Sequence, residues 1–101
     1  MLAHDRLDRA VRLLAVSSMP LQERLERCRI SLAALTDEDF ETEQERALYA
    51  RVQLGLGQLR SVSEDLPVFA LEATASHIVD LRDATAERAM RAAYKQRRGR
   101  R

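Results

Sequence analysis

The sequence predicts an all-α protein, a small four-helix up-down bundle with a long, overhanging C-terminal helix. Three observations carry that expectation. Breakers are scarce, with three Gly and two Pro in 101 residues. The chain is rich in Ala, Leu, Arg and Glu, which favour helix, and poor in the β-branched and aromatic residues that favour strands. Its apolar residues also recur at helical spacing between well-marked junctions.

The first helix is expected over 2–16, where Leu7, Ala10, Val11 and Leu14 fall on one face. "VSSMP" stops it. Ser18 should cap a second helix over 19–35, with Pro20 in its first turn, where a missing N–H costs nothing. Along it Leu21, Leu25, Cys28, Leu32 and Leu35 step by 4, 3, 4 and 3, a narrow heptad seam. At "LTDEDF", Thr36 with Asp39 has the spacing of a capping box, which opens a third helix over 37–61 after a very short link. Short links make antiparallel neighbours. Leu48, Val52, Gly55, Leu59 and Val62 repeat the seam, and Gly55 and Gly57 either allow close backbone approach, the favoured reading, or mark a bend. Ser63 should cap the fourth helix, over 64–97, with Glu64 and Asp65 at the positive end of its dipole and Pro67 in its first turn. Leu71, Ala75, Ile78, Thr85 and Ala89 continue its stripe, with Leu81 alongside.

The expected core is Leu7, Val11, Leu14, Leu21, Leu25, Cys28, Leu32, Leu35, Leu48, Val52, Leu59, Leu71, Ala75 and Ile78. Residues 1–97 form a single helical domain and 98–101 a basic tail. At about 1.5 Å per residue the fourth helix spans roughly 50 Å and the second about 25 Å. The overhang, "ATAERAMRAAYKQRR", would be marginal bare in water, so a partner is expected. Ala86, Ala89, Met90, Ala93 and Tyr94 are its candidate partner interface. A homo-oligomer, a dimer before anything larger, or a larger protein partner is expected to cover it.

Net charge is +1, but it is unevenly spread. Residues 1–85 carry ten basic and fifteen acidic groups, and residues 86–101 carry seven and one. An acidic body therefore ends in a basic tail. Arg88, Arg91, Lys95, Arg97, Arg98, Arg100 and Arg101 are the candidate contacts to nucleic-acid phosphates or to an acidic partner. Phosphate contacts of this kind bind without sequence preference and weaken with salt. Against nucleic acid stand the acidic body, the absence of a helix-turn-helix signature, and a single nearby aromatic, Tyr94. An internal competitor exists as well. "DEDFETEQE", residues 37–45, holds six carboxylates, and an up-down bundle brings it to the end where the basic tail emerges.

No catalytic constellation is found. Phosphate loop, paired Cys-x-x-Cys, His-Glu-x-x-His and nucleophile elbow are all missing. His4, Cys28 and His77 fall on three different helices, which is not the local pairing of a zinc site. Residues 37–45 lack the spacing and central glycine of a calcium loop, and acids at a helix N-terminus need no metal. Cys28, the single cysteine, reads as a buried apolar residue and forbids an internal disulfide. His77 has the spacing to meet Asp80 on its own helix. The charged N-terminal segment is not a signal peptide, and no window reaches the length of a membrane span. The sequence therefore predicts a cytoplasmic, non-enzymatic helical interaction module: a small regulatory or accessory subunit without cofactor, metal or small-molecule substrate. The alternative is a nucleic-acid-associated protein held to DNA or RNA by its tail.

Overall fold

A computed structural model describes residues 3–15, 18–61 and 66–99. Four helices follow in order: α1 (Ala3–Ala15), α2 (Leu21–Leu32), α3 (Glu43–Ser61) and α4 (Val68–Gly99), with a 3-10 turn at Asp37–Asp39 between α2 and α3. They form the up-down bundle, α1 packing on α2 and α4, and α3 on α4, while α2 makes lighter contact with α3 and α4. The body measures 58 × 27 × 23 Å, the long axis following α4.

Helix α1 buries Leu7 and Ala10 and lays Val11 and Leu14 partly against the core. Asp8 on its outer side meets Arg82 of α4 at 3.4 Å. Helix α2 starts later than the serine signal implied. Met19 precedes a proline, whose ring disfavours the α region for the residue before it. Pro20 itself is extended, with φ −56° and ψ 150°, and accepts the first helical bond from the Arg24 N–H at 3.1 Å. Ser18 is thus outside the helix, and the cap is Pro20, which has no side-chain hydrogen bond to offer.

The α-helical part of α2 also stops early. The Ala33 N–H donates to the Ile30 carbonyl at 3.3 Å and the Leu35 N–H to the Leu32 carbonyl at 3.1 Å, the tighter i→i+3 pattern of a helix end. Leu35 remains buried, as expected, although it sits past the helix.

The expected third helix over 37–61 is interrupted. The Asp39 carboxylate accepts the Thr36 backbone N–H at 2.8 Å, as the capping-box spacing implied, but the structure it opens is only the 3-10 turn. Phe40 is then extended, φ −117° and ψ 131°. A second cap restarts the chain: the Glu45 N–H donates to Thr42 Oγ1 at 3.1 Å, and α3 begins at Glu43. The break has a packing cause. It lets Phe40 drop into the core, its ring centroid 4.7 Å from that of Tyr49. Arg46 holds the break in place, donating to the Phe40 and Glu41 carbonyls at 3.2 Å each.

Helix α3 is closely set against α4 at Gly55, as expected. A Cβ there would lie 2.1 Å from Oγ1 and 2.9 Å from Cγ2 of Thr74. Gly57 has no such neighbour, since a Cβ would meet nothing within 4 Å, so close packing does not explain that second glycine. Helix α4 begins at Val68, with the Ala70 and Leu71 N–H groups on the Pro67 carbonyl at 3.0 and 3.2 Å. Pro67 therefore precedes the first turn rather than lying in it. The expected cap at Ser63 and the acids Glu64 and Asp65 lie outside the described residues, as does Val62. In the connection, Gln22 Oε1 accepts the Leu66 N–H at 3.2 Å.

The core gathers Leu7, Leu25, Cys28, Leu32, Leu35, Leu48, Val52, Leu59, Leu71 and Ile78, all expected, and adds Ala10, Phe40, Tyr49, Leu56 and Leu81. Val11, Leu14, Leu21 and Ala75 are corrected to its edge, where they are only partly buried. Cys28 is fully buried, and its thiol donates to the Ala10 carbonyl at 3.3 Å. Burial pushes its pKa up to about 11, with the nearby Arg24 charge working against that.

Candidate interaction surface on the last helix

Among the described residues of α4, Thr85 is the last buried one. One turn later comes Arg88, which belongs to the bundle rather than to a free tail. Its Nε donates to both oxygens of Glu45, at 2.9 and 3.2 Å, and Nη1 lies 3.4 Å from Glu41 Oε2. The Glu45 side chain is 2% exposed, so this carboxylate is carried into the interior and held there by a cation from the far end of the chain. Thr42 Oγ1 donates to the same carboxylate at 3.2 Å. Hydrogen bonding to Glu45 outweighs the opposing effect of burial and raises the pKa of Arg88, which keeps it charged.

The expected approach of basic α4 to the acids of 37–45 therefore exists, and Arg88 makes it, to Glu41 and Glu45. Arg91 is turned to its own helix, 2.6 Å from Glu87. Lys95 is exposed and lines, with Arg88 and Arg91, an open groove of about 310 Å³ between the start of α3 and α4. Arg97 and Arg98 fall in the last turns of α4, and Arg100 and Arg101 lie outside the described residues.

Beyond Arg88 the side chains of α4 border only that open groove or face solvent, as far as Lys95. Every residue from Ala89 to Lys95 is exposed, and of the candidate partner-interface residues only Ala86 is half-buried. Met90 and Tyr94, one turn apart on the side of α4 facing away from the bundle, are 73% and 61% exposed. The remaining exposed large apolar side chains, Ile30, Leu54, Val68 and Phe69, lie on the body of the bundle.

Among the described residues no group of His, Cys, Asp and Glu is arranged to hold a metal ion, and His4, Cys28 and His77 are not brought together. His77 and Asp80 share α4 but are not joined by a hydrogen bond. No helix among the described residues is long and apolar enough to cross a membrane. The buried Glu45–Arg88 pair was not anticipated. The Thr42–Glu45 spacing in the sequence could have signalled the cap, though nothing local could have signalled its distant partner.

No protein-family model, no curated protein and no solved structure matches this chain.

Proposed function

We propose that this protein is a non-enzymatic helical interaction module, a small regulatory or accessory subunit that works by presenting the C-terminal part of α4 to another protein. One observation carries the reading. Helix α4 continues past Arg88, whose guanidinium is paired with the bundle, into an exposed stretch from Ala89 to Lys95 that includes Met90 and Tyr94. An isolated helix of this length is marginal in water, and large apolar side chains at its surface gain free energy when covered.

The nucleic-acid reading is weakened by the commitment of one of its candidate cations, Arg88, to the buried carboxylate of Glu45. Drawing that guanidinium away to a phosphate would leave the Glu45 carboxylate buried and unpaired.

Photocrosslinking tests the proposal. A photoreactive phenylalanine analogue replaces Tyr94 in the intact chain, expressed in its own cells, with the same analogue at exposed Ile30 as the control. Protein adducts at Tyr94 and not at Ile30 are expected. Equal labelling at both positions, or adducts to nucleic acid alone, would overturn it.

A further inference from the structure

The outward face of α4 has an order of side chains that is complementary to itself. Starting at Asp83 and taking steps of 4, 3, 4, 3 and 4 gives Asp83, Glu87, Met90, Tyr94, Arg97 and Arg101. This is a heptad seam. It lies opposite the buried stripe of Ile78, Leu81 and Thr85, and its first four side chains are all well exposed, Asp83 at 61% and Glu87 at 64% included. Arg97 holds the next seam position on α4, and the same spacing in the sequence reaches Arg101.

Read along the chain, the seam runs acid, acid, methionine, tyrosine, base, base. Two such helices laid side by side in the same direction would set acids on acids and bases on bases. Laid antiparallel about a two-fold axis at position 92, the positions on α4 meet their complements: 87 with 97, and 90 with 94. Opposite charges at such positions choose orientation and register, and like charges disfavour the alternative.

We infer that a second copy of this chain covers this face, its α4 antiparallel to the first, with Met90 of each copy against Tyr94 of the other and Glu87 beside Arg97. The inference rests on the interaction-module reading and names the partner. A two-fold contact of this kind is isologous and closes at two chains, so it leaves no sticky end. The bundles do not obstruct it, because each body lies on the opposite side of its own α4. The charge division of the whole chain works in the same direction. The tip of one copy, from the +6 segment, arrives over the other copy's body, which carries −5. The side-chain pairs present in the single copy, Asp83 with Arg82 and Glu87 with Arg91, are exposed. Such pairs stabilise weakly and can be shared with an incoming cation. With charge at four of six seam positions, the association is salt-sensitive.

The test is sedimentation and light scattering of the full chain at submillimolar concentration and low salt, alongside Glu87→Arg, Arg97→Glu and the double variant. Glu87 is well exposed, and circular dichroism checks that each variant stays helical. The wild-type chain is expected at twice its 11.5 kDa mass, dissociating as salt rises. Each single variant places like charges opposite one another and should weaken association at least roughly tenfold. The double variant restores opposite charges only if the helices are antiparallel, and should recover most of that loss. An equimolar mixture of the two single variants should associate more tightly than either alone. A monomer throughout would overturn the inference. So would a dimer that ignores the single substitutions, or a double variant no better than they are. The two readings fail separately. If the pure chain is monomeric and Tyr94 crosslinks to a different protein, only the second-copy partner falls, whereas an inert Tyr94 removes the interaction module as well.

Discussion

The Arg88 guanidinium of α4 donates to the Glu45 carboxylate of α3 at 2.9 Å, across 43 positions of sequence, and so marks where the bundle ends and the bare part of α4 begins. The pair is asymmetric. Glu45 is almost fully buried while 31% of the Arg88 side chain remains exposed. Replacing Arg88 by Met should therefore be the costlier change, because it leaves a buried carboxylate unpaired. We expect a loss of about 2 kcal/mol, below the roughly 3–5 of a fully buried pair because Arg88 is partly wet. Glu45→Gln should cost less, and adding it to Arg88→Met should recover part of the loss. Urea unfolding of the four members of this cycle measures the coupling, and strict additivity would contradict the pairing.

The two glycines of α3 should respond in opposite directions. Gly55→Ala places a Cβ where Thr74 already stands, and the β-branched threonine has little freedom to move aside. A destabilisation of about 1–3 kcal/mol is expected, eased by Thr74→Ala. Gly57→Ala meets open space in a helix interior and should stabilise by about 1 kcal/mol. Thermal melts of the two single variants decide the matter by sign alone.

Cys28 predicts both a labelling behaviour and a pH dependence. A thiol that is fully buried and hydrogen-bonded to Ala10 should react with alkylating reagents at the rate of unfolding, not at the rate of a free thiol. Burial pushes its pKa up to about 11 in the folded chain, against an ordinary 9.0, so the folded state disfavours the thiolate. That contribution to stability is intact below pH 9 and declines as the pH rises towards 11. The size is about 2 kcal/mol across the window. Cys28→Ala should flatten this part of the stability curve, as followed by urea midpoints at stepped pH.

Leu25 and Leu54 make a matched pair for the placement of the core. Leu25→Ala empties a fully buried site on the α2 seam and should cost about 2–5 kcal/mol. Leu54 is 69% exposed on α3, and its replacement by Ala should leave the urea midpoint within experimental scatter.

Removing the end of α4 after Ala89 should leave the bundle intact, since Met90 to Lys95 are all exposed. The truncated chain should melt like the full chain at high dilution, losing only the helical signal of the removed turns. A large drop in melting temperature at high dilution would mean that the extension supports its own bundle.

What the sequence determined by itself was local. The four helices, the Leu25–Cys28–Leu32 seam, the burial of Cys28 and the close approach at Gly55 were all legible, because apolar spacing and a missing Cβ act through immediate chain geometry. So was the excess length of α4, which follows from the absence of any breaker between Pro67 and Gly99. The ends of elements were less legible. Ser18 had the chemistry of a cap, yet the restriction that Pro20 places on Met19 carried the start of α2 past it. Only the tertiary structure decided the break before α3. Phe40 could have continued a helix, but the space beside Tyr49 draws its ring inward, and the gain from filling that space offsets the interrupted turn. The same holds for the candidate surface. The sequence showed Arg88 as one cation among seven, and folding set it apart, because a carboxylate carried inside at Glu45 is tolerated only with a counter-charge beside it.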